Sequence, residues 1–336
     1  MGYELDPELV PVLAALAQRA AAAGRAGAAG RPGGAAAPPR GDWKALRLAG
    51  EAGQAYLATL VPPSSGVRTS THFATAPDGA AIELRRYAKP GSAPGSAVVY
   101  AHGGGMIMGS LDLYDEVIGW YVDQTGVPFV SVGYRRAPEG TGTALAEDVF
   151  AGLAWLVSQA GELGPDPGRI AVMGDSGGGG LAAGAAILAR DRGVTLARQI
   201  LVYPMLDDRN QTPDPALAPY LTWTWDDNFT AWSAVLGEDL GTSAVSPIAA
   251  PARLADYRGL APAYIDVGDL DIFRNEDLSY SWSLAQAGVP LELHLHPGAP
   301  HGWERFAPYS GSARRALADR ARVIAALWLP SALAAG

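Results

Sequence analysis

The segment around residue 176 constrains this chain more than any other. Residues 170–173, Ile-Ala-Val-Met, form a short apolar, β-prone run. Gly174-Asp175-Ser176-Gly177-Gly178 follows at once, and a small-residue helical stretch, 181–188, comes next. A strand, a sharp turn and a helix in that order hold the central side chain out above a sheet, on a strained backbone. Glycines flank such a residue because backbones crowd there. The helix start brings its positive dipole end toward charge developing at Ser176. The pentapeptide alone is a weak signal in a chain with 42 glycines, and a plain Gly-rich turn is its rival. The strand before and the helix after supply the context the motif requires. A Walker-type loop is excluded by the missing Lys-Ser/Thr, and a dinucleotide fingerprint would sit in the first βαβ unit.

The rest of the chain fits a sheet. Apolar β-prone runs occur at 82–87, 97–101, 129–132, 199–203, 263–267 and 291–296, besides 170–173. Helical spacing recurs between them. Leu145, Val149, Leu153, Leu156 and Val157 make one stripe, stopped by Gly161. Leu278, Trp282 and Ala285 make another, stopped by Gly288. Leu317, Ala321, Ile324 and Trp328 make a third. Such alternation predicts a mostly parallel sheet covered on both faces, with its site beyond the C-terminal strand ends. Ahead of this core, the pattern predicts a helix over 5–22, with Asp6 as N-cap and Pro7 first in the helix. A Gly-Ala-Pro-Arg linker over 24–41 and a second helix over 43–60 follow. Residues 205–250 break the rhythm with three tryptophans, four prolines and no clear strand. They read as an insertion covering the site.

Composition narrows the function. Hydrophobic residues make up 49% of 336, ample for a core, and the net charge is −9. An acidic surface repels phosphate backbones and anionic membranes, so neither nucleic acid nor a membrane surface is an expected partner. The absence of cysteine excludes disulfides, thiolate metal sites and a cysteine nucleophile. No window reaches 18 uncharged apolar residues, and Asp6, Glu8 and Arg19 spoil any secretory signal in the first 23 residues. A soluble cytoplasmic protein acting on a small molecule is expected, with pairing into a homodimer left open.

A serine hydroxyl needs a base and an anion hole. The run 97–101 leads into His102-Gly103-Gly104-Gly105-Met106, where three glycines let N–H groups approach a bound oxygen. The N–H groups of Gly104, Gly105 and Gly177 are the candidate hole, and His102 a structural residue. Of five histidines, His301 lies in a loop beyond the last strand, on the catalytic edge, and is the candidate base. His294 and His296 share one strand face, expected to be polar and partly solvated, with Leu293 and Leu295 opposite. A His-x-His zinc site there lacks an obvious third ligand. The orienting acid should fall between Ser and His in the chain. Asp266 points into the sheet layers. Asp269 and Asp271 both lie past the strand end, and spacing does not separate them.

Together these residues resemble the bacterial hormone-sensitive-lipase-like (family IV) carboxylesterases of the α/β-hydrolase superfamily, over about residues 70–330. His102–Gly105 matches that family's oxyanion signature, and Gly174-Asp175-Ser176 with Gly178 its elbow. Tyr134-Arg135-Arg136-Ala137-Pro138-Glu139 is similar to its Tyr-Arg-x-Ala-Pro-Glu segment; Arg135 and Glu139 are expected to brace loops by ion pairing. Asp271-Ile272-Phe273-Arg274-Asn275-Glu276 is similar to its Asp-Pro-Leu-Arg-Asp-Glu, which implies Asp271 as the triad acid. His301-Gly302 matches its terminal His-Gly. The resemblance implies an α/β-hydrolase core at 67–204 and 251–336. It also implies a helical cap from residues 1–66 and from 205–250, inserted after the sixth strand.

Gly177 departs from the family's usual Ala, and Met106 stands where an aromatic is common. Met106, Trp223 and Trp225 are the candidate substrate-lining residues. The chemistry implied is ester hydrolysis of short to medium acyl chains through an acyl-enzyme, with no cofactor and no metal. An acyltransferase or thioesterase would share every catalytic residue. A binding protein on the same fold would lack the base, and a peptidase is disfavoured by the resemblance.

Overall fold

The computed structural model describes residues 2–22, 38–92 and 95–328. Its eight strands are β1 (Arg68–Thr75), β2 (Ala81–Ala88), β3 (Ala97–Ala101), β4 (Phe129–Gly133), β5 (Ile170–Asp175), β6 (Arg198–Val202), β7 (Ala263–Gly268) and β8 (Leu291–His296). The helices before the sheet are α1 (Val10–Ala22) and α2 (Trp43–Ala58). Those among and after the strands are α3 (Leu111–Thr125), α4 (Ala144–Ser158), α5 (Ala160–Leu163), α6 (Gly177–Asp191), α7 (Trp225–Leu236), α8 (Arg274–Gln286), α9 (Trp303–Phe306) and α10 (Gly311–Ala325). The strands form one sheet in the order β1-β2-β4-β3-β5-β6-β7-β8. β2 pairs antiparallel with β1 and β4, and every other pairing is parallel.

β3, β5 and β7 are buried at every position, as parallel strands covered on both faces must be. Successive side chains go to opposite layers. Val99, Ala101, Val172, Leu201 and Ile265 pack with Val149 of α4, Ile187 of α6 and Leu284 of α8. Val98, Tyr100, Met173, Ile200 and Tyr264 pack with Ile118 of α3 and Ile324 of α10. The chain leaves β3 toward β4 on one side, then returns to place β5 on the other. Loops diverge at such a reversal and open a crevice at the C-terminal strand ends. The loops after β3 and β5, which carry the glycine run and the elbow, both emerge there.

The mostly parallel sheet between helices is the fold expected from the alternation. Several local expectations differ. β1 went unread because seven of its eight residues are exposed or half-buried and show no apolar period. α1 begins at Val10, not after Asp6: the Asp6 carboxylate accepts the Glu8 N–H across a turn, while the Asp6 N–H donates to the Gly298 carbonyl. Gly161 lies inside α5, and Gly164, in the left-handed region at φ 90°, ends it. Of the linker expected over 24–41, residues 24–37 lie outside the described residues.

Two faces are inverted relative to expectation. In α8 the buried side carries Glu276, Asp277, Tyr280, Ser281 and Leu284, and Trp282 is 67% exposed. Tertiary demand overrides the apolar stripe, because Glu276 accepts hydrogen bonds from the N–H groups of Leu206 (2.6 Å) and Asp207 (3.1 Å). In β8 the histidines face inward and Leu293 and Leu295 outward; His296 is buried against Trp303. In α10, Arg320 turns inside to pair with Asp266 and Glu304. Among the described residues, no helix is long and apolar enough to cross a membrane.

Candidate active site

The turn after β5 has the strain its sequence predicts. Ser176 sits at φ 55°, ψ −124°, outside the regions open to ordinary L-residues. Its N–H donates to the Val202 carbonyl (2.8 Å), and its own carbonyl accepts from the N–H groups of Met205 (3.0 Å) and Gly180 (3.1 Å). The flanking glycines are obligatory through close approach. A Cβ on Gly178 would lie 2.1 Å from the Ala101 oxygen, and one on Gly174 would lie 2.2 Å from the Gly178 oxygen.

Three residues far apart in sequence meet at this turn. His301 Nε2 lies 2.9 Å from Ser176 Oγ, and His301 Nδ1 lies 2.6 Å from Asp271 Oδ2. Asp271 is buried, and its other oxygen accepts the Phe273 N–H at 3.0 Å. The edges of Tyr203 and Phe273 flank the imidazole, and Thr222 Oγ1 donates to the His301 carbonyl. Asp269, the competing acid, is committed elsewhere. Its carboxylate accepts the Gly298 N–H at 2.7 Å, and burial pushes its carboxyl above the usual range. Asp266 is buried in a bidentate pair with Arg320. His102 is also remote from proton transfer. Burial pushes its imidazole down to about 4, and it stacks on Tyr134 beside the Gly103 carbonyl.

The glycine loop after β3 is held against the elbow by a residue that sequence reasoning passed over. Asp175 Oδ1 accepts from Tyr100 Oη (2.7 Å) and the Gly103 N–H (2.9 Å), and its Oδ2 accepts from Tyr114 Oη (2.7 Å). Its signal was its place beside Ser176 in the motif. Among the described residues, the N–H groups of Gly104, Gly105 and Gly177 donate to no acceptor. Gly177 also explains its departure from Ala: a Cβ there would lie 2.6 Å from Met106 N and 2.9 Å from Gly105 Cα.

Above these groups lies a cleft of about 850 Å³, solvent at its mouth included. One wall comes from α2 (Leu46, Gly50, Gly53, Gln54 and Leu57), another from Thr222, Trp223 and Asp227. Of the three candidate lining residues, only Trp223 is in the wall, across from Gly105. Met106 is fully buried, with its side chain turned toward Gly180 in the core, and Met108 faces the cleft instead. The positive φ of Met106, 63°, turns its side chain away. Trp225 is buried behind the wall, donating to Asn210 Oδ1. The expected N-terminal cap includes α2, but its lining residues carry no chemical signature that singles them out in the sequence.

Ion pairs seat α2 on the loops. Arg47 donates to both Glu139 oxygens at 2.6 Å and to the carbonyls of Ile107 and Ala137. This pairing pulls the Glu139 carboxyl down to about 2. Arg136 pairs with Glu51 of α2, while Arg135 pairs with Asp148 and Asp78. Arg135 and Glu139 thus brace loops by ion pairing, each with its own partner. At the far sheet edge, Glu292, His294 and Asp319 approach one another, but Arg322 bridges the two acids.

Comparison with known proteins identifies the family of this fold. A family model described as the alpha/beta hydrolase fold matches residues 98–305. The chain belongs to this family. Its relatives include a carboxylesterase of Mycobacterium tuberculosis, 40% identical over 62% of this chain and 67% of the relative. An ethyl acetate hydrolase of Pseudomonas putida is 32% identical over 69% of this chain and 74% of the relative. Among solved structures, a bacterial heroin esterase superposes with a TM-score of 0.83, at 31% identity, covering 97% of this chain and 98% of its own.

Proposed function

We propose that this chain hydrolyses small carboxylic esters through an acyl-enzyme formed on Ser176. The carrying observation is the continuous contact from Ser176 Oγ through His301 to the buried Asp271, opening on a cleft. His301 Nε2 takes the hydroxyl proton as Ser176 attacks the ester carbonyl. Asp271 holds the His301 tautomer and stabilises the imidazolium. The N–H groups of Gly104, Gly105 and Gly177 receive the oxyanion, and the start of α6 adds its dipole. His301 then protonates the leaving alcohol and activates the water that releases the acid.

In this reading α2 and residues 205–250 form a cap over a core of 67–204 and 251–336. The support is contact across the cleft: Gly41 N–H donates to Thr230 Oγ1 (2.8 Å), and Arg40 pairs with Asp226. Membership among relatives named as esterases supports ester substrates. A fluorophosphonate probe should label the wild-type protein and not Ser176→Ala; labelling that survives would overturn the assignment. Activity across p-nitrophenyl esters of rising acyl length then sets the acyl preference. Adding acceptor alcohols separates hydrolysis from acyl transfer.

A further inference from the structure

His301 stands in the loop between β8, which ends at His296, and α9, which begins at Trp303. The core anchors the first half of this loop. The Asp269 carboxylate accepts the Gly298 N–H at 2.7 Å, and the Ala299 carbonyl accepts the Leu270 N–H at 3.1 Å. At His301 itself an anchor comes from elsewhere. Thr222 Oγ1 donates to the His301 carbonyl at 2.6 Å, across 79 residues of sequence. Thr222 lies in the stretch between β6 and β7, just ahead of α7.

Threonine hydroxyls ordinarily bond to nearby backbone. Thr224 acts locally in this way: with Asp227 it closes the capping box that starts α7. Thr222, two residues earlier, reaches the loop of the candidate base instead. Its β-branched side chain has few χ1 choices, so the backbone aims the hydroxyl. The next residue, Trp223, stands over the other half of the site: a Cβ on Gly105 would lie 2.7 Å from Trp223 Cη2. Consecutive residues of one stretch therefore touch the His301 loop through a hydrogen bond and the glycine loop through a ring, and both line the cleft.

Other restraints act on the imidazole itself. Nδ1 meets Asp271, and the Tyr203 and Phe273 rings lie at 4.7 and 5.1 Å, inclined to it by 67° and 84°. The Thr222 bond acts instead on the peptide that carries the ring, and so on the direction of its Cα–Cβ bond. Misplacing a reacting group by about 1 Å can cost about a hundredfold in rate.

We propose that Thr222 is a positioning residue for His301. Its hydroxyl fixes the peptide of the base, so the stretch between β6 and β7 contributes to kcat and not only to substrate contact. The inference rests on the ester-hydrolase reading with His301 as base. It goes beyond it by giving a residue outside Ser176, His301 and Asp271 a part in the chemical step.

The test measures kcat and KM on p-nitrophenyl acetate for wild type, Thr222→Val, Thr222→Ser and Trp223→Ala, with active sites counted by fluorophosphonate titration of Ser176. Thr222→Val keeps the shape and removes the hydroxyl. It should lower kcat per active site about tenfold or more, with KM within about threefold of wild type. Thr222→Ser restores the donor and should recover most of kcat. Trp223→Ala disturbs the same stretch but should act on KM. An unchanged kcat in Thr222→Val, a loss carried by KM, no recovery in Thr222→Ser, or an equal kcat loss in Trp223→Ala would overturn the inference while leaving ester hydrolysis intact. If Thr222→Val does not fold, Thr222→Ala decides by the same measures. Wild-type protein that hydrolyses no ester would overturn the ester-hydrolase reading, and this inference with it.

Discussion

The elbow with its acid and base, and the α2 wall facing it, are built by different means. The first hangs on backbone: Ser176 is strained between hydrogen bonds to Val202 and Met205, with glycines wherever chains touch. The second hangs on side chains: Arg47 to Glu139, Arg136 to Glu51, Arg40 to Asp226. Several of these ions are largely exposed. Glu139 is 55% and Asp226 64% open at the side chain, where ion pairs contribute about 0–1 kcal/mol. The serine turn is thus held by backbone hydrogen bonds, and α2 by side chains: ion pairs at its rim and Leu46 and Leu57 buried beneath. The expectation is that the serine turn governs kcat and the α2 wall governs KM.

Substitutions can break that contrast. The largest effect belongs to Ser176→Ala, expected to lower kcat on the order of a millionfold, measured on a p-nitrophenyl ester. Asp271→Asn is expected to cost about ten-thousandfold in kcat through the wrong His301 tautomer. Asp269→Asn, whose carboxylate accepts the Gly298 N–H rather than facing His301, should retain most of its activity. A reversal of that order would move the acid to Asp269. Gly177→Ala forces a Cβ against Met106 N and displaces the oxyanion donors, so kcat should fall about a hundredfold.

Substitutions in the wall should act differently. Trp223→Ala removes apolar surface from the cleft and should raise KM several-fold, with a cost of about 1–2 kcal/mol and little change in kcat. Arg47→Met loses the bidentate Glu139 pair and the bonds to the Ile107 and Ala137 carbonyls, so it should cost about 1–3 kcal/mol in thermal denaturation with little change in kcat. If it lowered kcat as steeply as Gly177→Ala, the wall would not be independent of the chemistry.

Legibility in the sequence followed the same division. Ser176 and the glycine run could be read because strained turns and close approaches tolerate few residue types; His301 could be read from its loop beyond the last strand, and Asp271 only from the family resemblance. Asp175 sat inside the motif but showed its role only when Tyr100, Tyr114 and Gly103 converged on it. Met106 was misread because the side chain's direction depends on a positive φ that no composition reveals. The stripe of α8 misled because hydrophobicity was taken as burial, and of the β8 histidines expected on a partly solvated face, His294 is half-buried but His296 is buried. The buried faces of these two elements instead carry Glu276, Asp277 and His296.

By itself, the sequence determined the parallel sheet, the strained serine turn and the chain order of Ser176, the candidate acids and His301. Those features depend on local backbone geometry and on alternation along single strands. Only the tertiary structure decided which acid reaches His301 and which wall residues face the cleft. Such facts depend on where distant side chains meet, and no local pattern carries that information.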